Sequence, residues 1–277
     1  MNISFKEQCI ALRKKGYSIV QIMKMTGRAK SSIYTHIKDI PLSEKRLEEI
    51  RKASGKRIRR FALARKGKSV RAFRVFDAWS VDTVLLVAHL LFDGEIARTR
   101  CAYNNRSLAL LERVERLMRK WYDFEPSRYQ NKLTGVYRVT YNNVALGAYL
   151  HKKSKELLQH IKKMPNELKR EFIRAFFDDE GCIDYRPKEG KRSIRGYQKD
   201  TKILSLVQAL LQDFDIESKV ILPNEVVIVG KENLMRFERE INFSSGVFMN
   251  GNRSNSRWKK HMEKRELLKQ AITSFKS

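Results

Sequence analysis

The sequence contains few cysteines, few prolines and no long apolar run. Three cysteines and five prolines occur among 277 residues. Cys9, Cys101 and Cys182 are scattered without C-x-x-C spacing, which excludes a disulfide framework and a cysteine zinc site. The five histidines form no H-x-x-x-H pair, so a helical zinc site of that kind is excluded too. Such cysteine usage fits a reducing compartment, and we expect a cytoplasmic protein.

Membrane segments are also missing from the pattern. No apolar run reaches the roughly 18 residues that a spanning helix needs, and no signal-peptide core follows Met1. We therefore expect no membrane partner and, from the length, a main domain with one small module.

Acidic residues are scarce relative to basic ones. Lys plus Arg number 58 against 31 for Asp plus Glu, which gives a formal net charge of +27. Self-repulsion of this size indicates a polyanionic partner, and nucleic acid is favoured. The alternatives are an anionic membrane surface and a basic surface that binds nothing.

Residues 1–44 predict a small helical module. Apolar residues recur at helical spacing in three short segments, and Ser18 and Gly27 are placed to cap and to turn the chain. The string GYSIVQIMKMTGRAKSSIYTHIK resembles the helix-turn-helix of resolvase-type and other prokaryotic DNA-binding proteins. In that geometry the outward face of the third helix would enter the major groove; its predicted DNA-contacting residues are Lys30, Ser31, Ser32, Tyr34, Thr35 and Lys38. A generic three-helix packing module is the alternative.

Residues 45–78 predict a basic connector between this module and the rest of the chain. Its cations include Arg57, Arg59 and Arg60, which we expect to follow a phosphate backbone. A solvated linker that contacts nothing is equally compatible with the charge and with Gly55 and Gly67.

From residue 79 onward the same order of elements occurs twice, in a first repeat at 79–162 and a second repeat, with a C-terminal helix, at 163–277. Each repeat begins with an apolar helix that ends in a carboxylate and a glycine, LVAHLLFDG (86–94) and IRAFFDDEG (173–181). A carboxylate is unfavourable at the negative end of a helix unless a cation lies beside it. Ala88 and Ala175 would let the two helices approach, so Asp93 and Glu180 are predicted to meet around divalent metal, with each glycine forming a left-handed cap.

The two nine-residue segments resemble the motifs of LAGLIDADG homing endonucleases in their single-chain, two-motif form. The resemblance implies an α+β fold, in which two pseudo-symmetric αββαββα repeats form a saddle-shaped DNA-binding core behind the all-α module. It implies a monomer with internal pseudo-two-fold symmetry, in which Asp93 and Glu180 bind Mg²⁺ or another divalent cation such as Mn²⁺.

The resemblance also implies polar residues and a lysine around the metal-binding acids of each repeat. Gln198, Lys202 and Lys231 occupy these places in the second repeat and complete the predicted catalytic set with Asp93 and Glu180. Asn104 and Asn143 occupy the corresponding places in the first repeat, where the lysine is therefore missing. Asp178 and Asp179 are expected to face solvent or a basic neighbour, and His89 to pack within its helix.

These features predict a site-specific protein for double-stranded DNA, acting as a magnesium-dependent endonuclease that hydrolyses phosphodiester bonds. We expect it in the prokaryotic cytosol, on the nucleoid when bound to DNA. The main alternative is a transcription regulator that uses an inactive core and the helix-turn-helix for binding alone. An RNA maturase has family precedent only. The last segment, with Trp258, Leu267, Leu268 and Ile272, predicts an amphipathic helix packed on the core.

Overall fold

The computed structural model describes residues 3–65, 72–249 and 262–275. The chain divides into two compact units, Met1–Val70 and Arg71–Ser277.

The first unit consists of helices in its described part. Ser4 and Ser18 each begin a helix with a capping box, because the serine hydroxyl accepts from the backbone three residues on and the Glu or Gln there reaches back. Gly27 ends the second helix in the left-handed conformation, at φ 67°. The four helices are α1 (Phe5–Lys14), α2 (Ile19–Thr26), α3 (Lys30–Ile37) and α4 (Glu44–Arg65).

A separate small core holds α1, α2 and α3 together. Cys9 of α1, Ile22 of α2 and Ile33 and Ile37 of α3 are buried against one another. Helical spacing places Ile33 and Ile37 on one face of α3 and leaves the polar face outward.

A 22-residue helix, α4, occupies much of the stretch that the sequence assigned to a connector. Lysine, arginine, alanine and leucine are good helix formers, and a single interior glycine such as Gly55 is tolerated. The guanidinium of Arg46 donates to the carbonyl of Gly16 at 3.0 Å and to Gln21 at 3.2 Å, which fixes the beginning of α4 on this unit. Lys66, Lys68 and Arg71, also part of the predicted connector, lie outside the described residues.

The second unit begins with one αββαββα repeat. Ser80 caps its first helix with a capping box to Thr83. The elements are α5 (Val81–Phe92), β1 (Gly94–Ala97), β2 (Arg100–Asn105), α6 (Leu108–Trp121), β3 (Ser127–Gln130), β4 (Tyr137–Tyr141) and α7 (Val144–His160).

The same order follows a second time. A 3₁₀ turn at Ile161–Lys163 separates the repeats, and another at Pro187–Glu189 lies inside the first hairpin of the second repeat. The elements are α8 (Asn166–Glu180), β5 (Gly181–Arg186), β6 (Lys191–Tyr197), α9 (Thr201–Gln212), β7 (Lys219–Ile221), β8 (Glu225–Val229) and α10 (Lys231–Glu240), followed by β9 (Phe248–Met249), β10 (Met262–Glu263) and α11 (Lys264–Thr273).

The two four-stranded sheets have identical topology. Their strand orders are β1-β2-β4-β3 and β5-β6-β8-β7, with every neighbour antiparallel. The predicted α+β class with two matching repeats is therefore confirmed. Alternate side chains of each sheet enter the core, for example Cys101, Tyr103, Val139 and Tyr141 of the first sheet.

The core is shared between the repeats, with α5 and α8 packed together at its centre. Leu267 and Leu268 of α11 are fully buried in the same core, in agreement with the predicted packing of the last segment, whereas Trp258 lies outside the described residues. Within the described ranges, no helix is both long and apolar enough to cross a bilayer.

Candidate metal centre and nucleic-acid interface

The two motif helices run side by side and end together. Phe92 of α5 contacts Phe176 of α8 edge to face, with ring centroids 5.2 Å apart, and His89 of α5 contacts Asp179 of α8 at 2.8 Å. His89 and Phe176 are the fourth residues of their motifs, and Phe92 and Asp179 are the seventh. Each contact therefore joins a fourth to a seventh position, so the two helices run in the same direction and Asp93 and Glu180 lie at one end of the pair. Ala88 and Ala175 are both fully buried, as a close helix contact requires.

The glycine after each acid is required by space, and the predicted left-handed caps are wrong. Gly181 is extended, at φ −93° and ψ 153°, and Gly94 is not among the residues with positive φ. A Cβ on Gly94 would lie 2.3 Å from the carbonyl oxygen of Leu90, and one on Gly181 would lie 2.4 Å from that of Phe177. The chain therefore turns from helix into strand so tightly that no side chain fits.

Glu180 lies in a partly buried environment that opposes its ionisation. Burial, as the largest cause, and the neighbouring charge of Asp179 together raise the pKa of Glu180 to about 7. The ammonium of Lys264 acts in the opposite direction. A carboxyl of this kind gains from a nearby cation, because the cation stabilises the charged form.

Asp93 caps the end of α5 and accepts a side-chain hydrogen bond from the next hairpin. The amide nitrogen of Asn105 donates to Asp93 Oδ2 at 2.7 Å. The backbone nitrogen of Asn104 donates to the main-chain carbonyl of Asp93 at 3.0 Å. One oxygen of the Asp93 carboxylate is thus held by a neutral donor.

Strand register corrects the predicted correspondence between the repeats. Gly94 pairs with Tyr103, and Gly181 pairs with Gly196. Counting on from these pairs, Asn105 corresponds to Gln198, whereas Asn104 corresponds to Tyr197. The polar residue beside the acid of the first repeat is therefore Asn105, one position later than the sequence indicated.

Gln198 and Lys202 lie at the Glu180 end of the second sheet but are engaged locally or exposed. Gln198 Oε1 accepts from the backbone nitrogens of Lys199 and Asp200, at 2.8 and 3.4 Å. Lys202 is an exposed residue in the first turn of α9. Neither position displays the contact that Asn105 makes with Asp93.

Strand direction places Lys231 away from Glu180. In the second sheet Gly181 pairs with Gly196, and Gly196 pairs with Val226 near the beginning of β8. Lys231 is exposed and follows the other end of β8, roughly 10 Å or more along the strand. The structure does not bring its ammonium to the acids.

The predicted counterpart of Lys231 in the first repeat is also shifted. Asn143 is the N-cap of α7, accepting from the backbone nitrogen of Leu146 at 3.0 Å. Lys231 is the first residue of α10 and its N-cap is Gly230. By helix position Lys231 corresponds to Val144, and Asn143 is a capping residue.

Sequence reasoning missed a buried lysine near the acids. Lys264, at the beginning of α11, is 5% exposed and donates to the carbonyls of Phe177 and Asp178 at 3.0 and 2.7 Å. Burial lowers the pKa of Lys264, while the charges of Asp178, Asp179 and Asp93 oppose that shift. Its ammonium therefore stabilises the carbonyl end of α8 directly before Glu180.

Asp178 and Asp179 both have basic neighbours and buried side chains. Asp178 accepts from Arg113 at 3.1 Å and from the backbone nitrogen of Ser244 at 2.8 Å. Asp179 accepts from Tyr103 and contacts His89. Neither side chain faces solvent.

The outward faces of the two sheets display arginines held by carboxylates. In the first sheet Arg138 donates to Glu95 at 2.5 Å. In the second sheet Arg195 donates to Glu225 at 2.9 Å, and Asp184 lies 3.6 Å away. Such fixed guanidinium groups can present their donors to base edges or phosphates.

The residues predicted to contact DNA in the first unit are all exposed. On α3 this outward set surrounds the buried Ile33 and Ile37. The predicted DNA-contacting residues of α4 lie in the second half of that helix. The exposed residues are Lys30, Ser31, Ser32, Tyr34, Thr35, Lys38, Arg57, Arg59 and Arg60.

The oxygen donors at the end of α5 and α8 fit a hard divalent cation. Mg²⁺ is commonly held by one or two carboxylates together with substrate phosphates. Asp93 and Glu180 would supply those carboxylates. Among residues 3–65, 72–249 and 262–275 no cluster of three or more His, Cys, Asp or Glu could hold a metal ion alone. Phosphate oxygens of bound DNA would therefore have to complete the coordination.

Comparison with known families identifies one region of the chain. Residues 167–242 match a family described as LAGLIDADG-like domain. This range contains most of α8 and the second sheet, and it confirms the resemblance that the motifs indicated. No curated protein matches the chain.

Solved structures with a similar fold include the homing endonuclease I-DmoI and DUF199/WhiA, which has an N-terminal LAGLIDADG domain. A complex of I-DmoI with its target DNA and Mg is 16% identical, with a TM-score of 0.47, over 58% of this chain and 95% of that chain. Full-length DUF199/WhiA from Thermatoga maritima is 15% identical, with a TM-score of 0.49, over 73% of this chain and 63% of that chain.

Proposed function

We propose that this chain is a site-specific, double-stranded-DNA-binding endonuclease that depends on a divalent cation. The observation that supports the proposal is that the packed helices α5 and α8, which belong to repeats of identical topology, end on the same side in Asp93 and Glu180. Charge supports the choice of DNA, because a net charge of +27 favours a polyanion. A protein with this role would act in the cytosol, where prokaryotic DNA is located.

The residues of the chain would perform three tasks in that reaction. Asp93 and Glu180 would hold Mg²⁺ or Mn²⁺, which supplies charge stabilisation at the phosphodiester and lowers the pKa of water. Asn105 would fix the orientation of the Asp93 carboxylate. The arginines of the sheet faces and the exposed side of α3 would bind DNA and set the register of the site.

The proposal depends less on the other predicted catalytic residues, Gln198, Lys202 and Lys231, than on the two acids. Lys202 and Gln198 are near the correct end of the second sheet, and a small rearrangement on DNA binding would let them approach a phosphate. Lys231 would have to act from the far end of β8, so we assign it to backbone contact.

The decisive experiment begins with selection of a binding site from a random duplex library in EDTA. The selected duplex is then incubated with protein and Mg²⁺ or Mn²⁺, and both strands are followed on a denaturing gel. Asp93→Asn and Glu180→Gln should each reduce cleavage by about 100-fold or more while DNA binding in EDTA persists. Glu167→Gln is the matched control, since Glu167 is an exposed acid at the opposite end of α8.

A transcription regulator that binds without cutting is the second candidate. It is favoured by the local engagement of Gln198 and by the position of Lys231. Within the described part of the chain, neither residue gives Glu180 the side-chain hydrogen bond that Asp93 receives from Asn105. Tight binding of the selected duplex with neither strand cut in Mg²⁺ or Mn²⁺ would reject the endonuclease and support the regulator.

A further inference from the structure

Polar side chains connect the two motif helices across the interface between the repeats. Tyr103 of the first sheet donates its hydroxyl hydrogen to Asp179 Oδ1 at 2.5 Å. His89 Nδ1 lies 2.8 Å from Asp179 Oδ2, and the side chains of His89 and Asp179 are both fully buried. A buried carboxylate is costly unless such partners satisfy it.

The same hydroxyl extends the connection to the other helix end. Asn105 donates from Nδ2 to the Tyr103 oxygen at 3.1 Å and to Asp93 Oδ2 at 2.7 Å. The Asn105 carbonyl oxygen accepts from the backbone nitrogen of Ser107 at 2.8 Å. Because a backbone N–H can only donate, this contact fixes which end of the amide faces Asp93.

Tyr103 is suited to this double role. Burial first, and then the charge of Asp179, raise the pKa of Tyr103 well above its ordinary value. The hydroxyl therefore stays protonated. It donates a hydrogen bond to Asp179 and accepts one from Asn105. Asp179, Tyr103, Asn105 and Asp93 form one continuous series of hydrogen bonds, which we call the cross-repeat bridge.

The pseudo-symmetric half of the interface is built differently. There Phe176 and Phe92 occupy the motif positions of His89 and Asp179, and their rings meet edge to face. Gly196 occupies the sheet position of Tyr103, and a Cβ on it would lie 2.3 Å from the Phe176 ring. Since an aromatic contact suffices to pack one half, packing alone does not require the bridge in the other.

We propose that Tyr103 and Asp179 are positioning residues that orient the Asp93 carboxylate for cation binding by fixing Asn105. This inference rests on the proposed function, because it assigns a role toward the metal held by Asp93 and Glu180. The bridge ties the Asp93 half of the centre to the helix that carries Glu180, so that the two halves of the centre differ in how firmly their acids are oriented.

The test is Mn²⁺ uptake by the full chain, measured at pH 8 by electron paramagnetic resonance of the free ion. Tyr103→Phe keeps the ring and removes the hydroxyl that links Asp179 to Asn105. Loss of an outer hydrogen-bond partner typically weakens metal affinity by about 10- to 100-fold. We expect the Mn²⁺ dissociation constant to rise by about 10-fold, with DNA affinity in EDTA unchanged.

Two further variants separate positioning from general damage to the core. Tyr141→Phe removes another buried tyrosine hydroxyl from the first sheet and is the matched control; it should leave Mn²⁺ affinity unchanged. Asn105→Ala should weaken Mn²⁺ binding at least as much as Tyr103→Phe, and the double variant should add nothing to Asn105→Ala. Additive losses, or equal affinities of wild type, Tyr103→Phe and Tyr141→Phe, would overturn the inference.

The outcomes also separate the bridge from the proposed function. If wild-type protein binds Mn²⁺ but cuts neither strand, the endonuclease assignment is wrong. A lower Mn²⁺ affinity of Tyr103→Phe would still support the cross-repeat bridge in that case. If wild-type protein cuts DNA and Tyr103→Phe binds Mn²⁺ as tightly as the wild type, the proposed function stands and the role of the cross-repeat bridge is rejected. Wild-type protein that takes up no Mn²⁺ overturns the metal site and the bridge together.

Discussion

The Glu180 carboxyl lies where burial opposes its ionisation. Its pKa of about 7 in the folded protein exceeds the ordinary value of 4.5. The folded state holds this proton more tightly than the unfolded chain does. The contribution of Glu180 to the free energy of unfolding is therefore fully present below pH 4.5 and is lost as the pH rises through 7. If Glu180 holds a cation as proposed, the bound cation would offset this loss, because it stabilises the charged carboxylate.

Glu180→Gln should therefore stabilise the metal-free protein at pH 8. Each unit between the folded and unfolded pKa corresponds to about 1.4 kcal/mol, and partial exposure of the carboxyl reduces the effect to about 2 kcal/mol. We expect a Tm gain of about 4–8 °C at pH 8 and a much smaller one at pH 5, measured in EDTA. Glu167→Gln should show neither gain, and an equal gain at both pH values would contradict the assigned cause.

The residues of this centre differ in how far the sequence could reveal them. Asp93 and Glu180 directly precede the last glycine of two segments with the same nine-residue pattern, so the repetition and the family resemblance together pointed to them. Asn105 was missed by one position because the residue that reaches Asp93 depends on hairpin register, which sequence spacing does not define. Lys264 begins α11, which follows the αββαββα elements of the second repeat, and no local pattern shows which distant lysine will meet the end of α8.

At the scale of helices, an ion pair connects α6 of the first repeat with α8 of the second. Arg113 of α6 donates to Asp178 of α8 and to the hydroxyl of Ser244, and the Asp178 side chain is fully buried. An ion pair of this kind contributes little net stability, yet loss of Arg113 removes the guanidinium that pairs with the buried Asp178 carboxylate.

Arg113→Leu should consequently destabilise the second unit by about 3 kcal/mol. Arg116→Leu, an exposed arginine in the next turn of α6, should change stability by less than about 0.5 kcal/mol. Urea unfolding followed by tryptophan fluorescence measures both. Adding Asp178→Asn to Arg113→Leu should restore part of the loss, whereas a fully additive double variant would show that the ion pair does not couple the helices.

Sequence patterns predicted the elements of the core better than those of the basic stretch. Apolar residues recur clearly at helical spacing in α5, α6, α8 and α9, where one face packs into the core. The helix α4 has few apolar residues among many cations, so composition favoured a connector although the same residues have high helix propensity. Tertiary contacts of Arg46 at its first turn, invisible in the sequence, help to fix it.

For the whole molecule, the excess of basic charge gives the proposed DNA partner a measurable signature. Each phosphate neutralised by a lysine or arginine contributes about 0.9 to the slope of log Kobs against log salt concentration on duplex DNA. Arg57, Arg59 and Arg60 are exposed on α4 and contribute to this slope if that helix lies along the phosphate backbone.

Replacing Arg57, Arg59 and Arg60 together by glutamine should lower that slope by up to about 3, with an affinity loss that grows as salt falls. The matched control changes Lys155, Lys162 and Lys163 to glutamine. Lys162 and Lys163 belong to the 3₁₀ turn that comes before α8, and the length of that helix, roughly 20 Å, separates its beginning from Glu180. Fluorescence anisotropy with the selected duplex between 50 and 300 mM salt, about the physiological range, measures both slopes. Equal slopes in the two variants would assign the effect to net charge and remove α4 from the DNA interface.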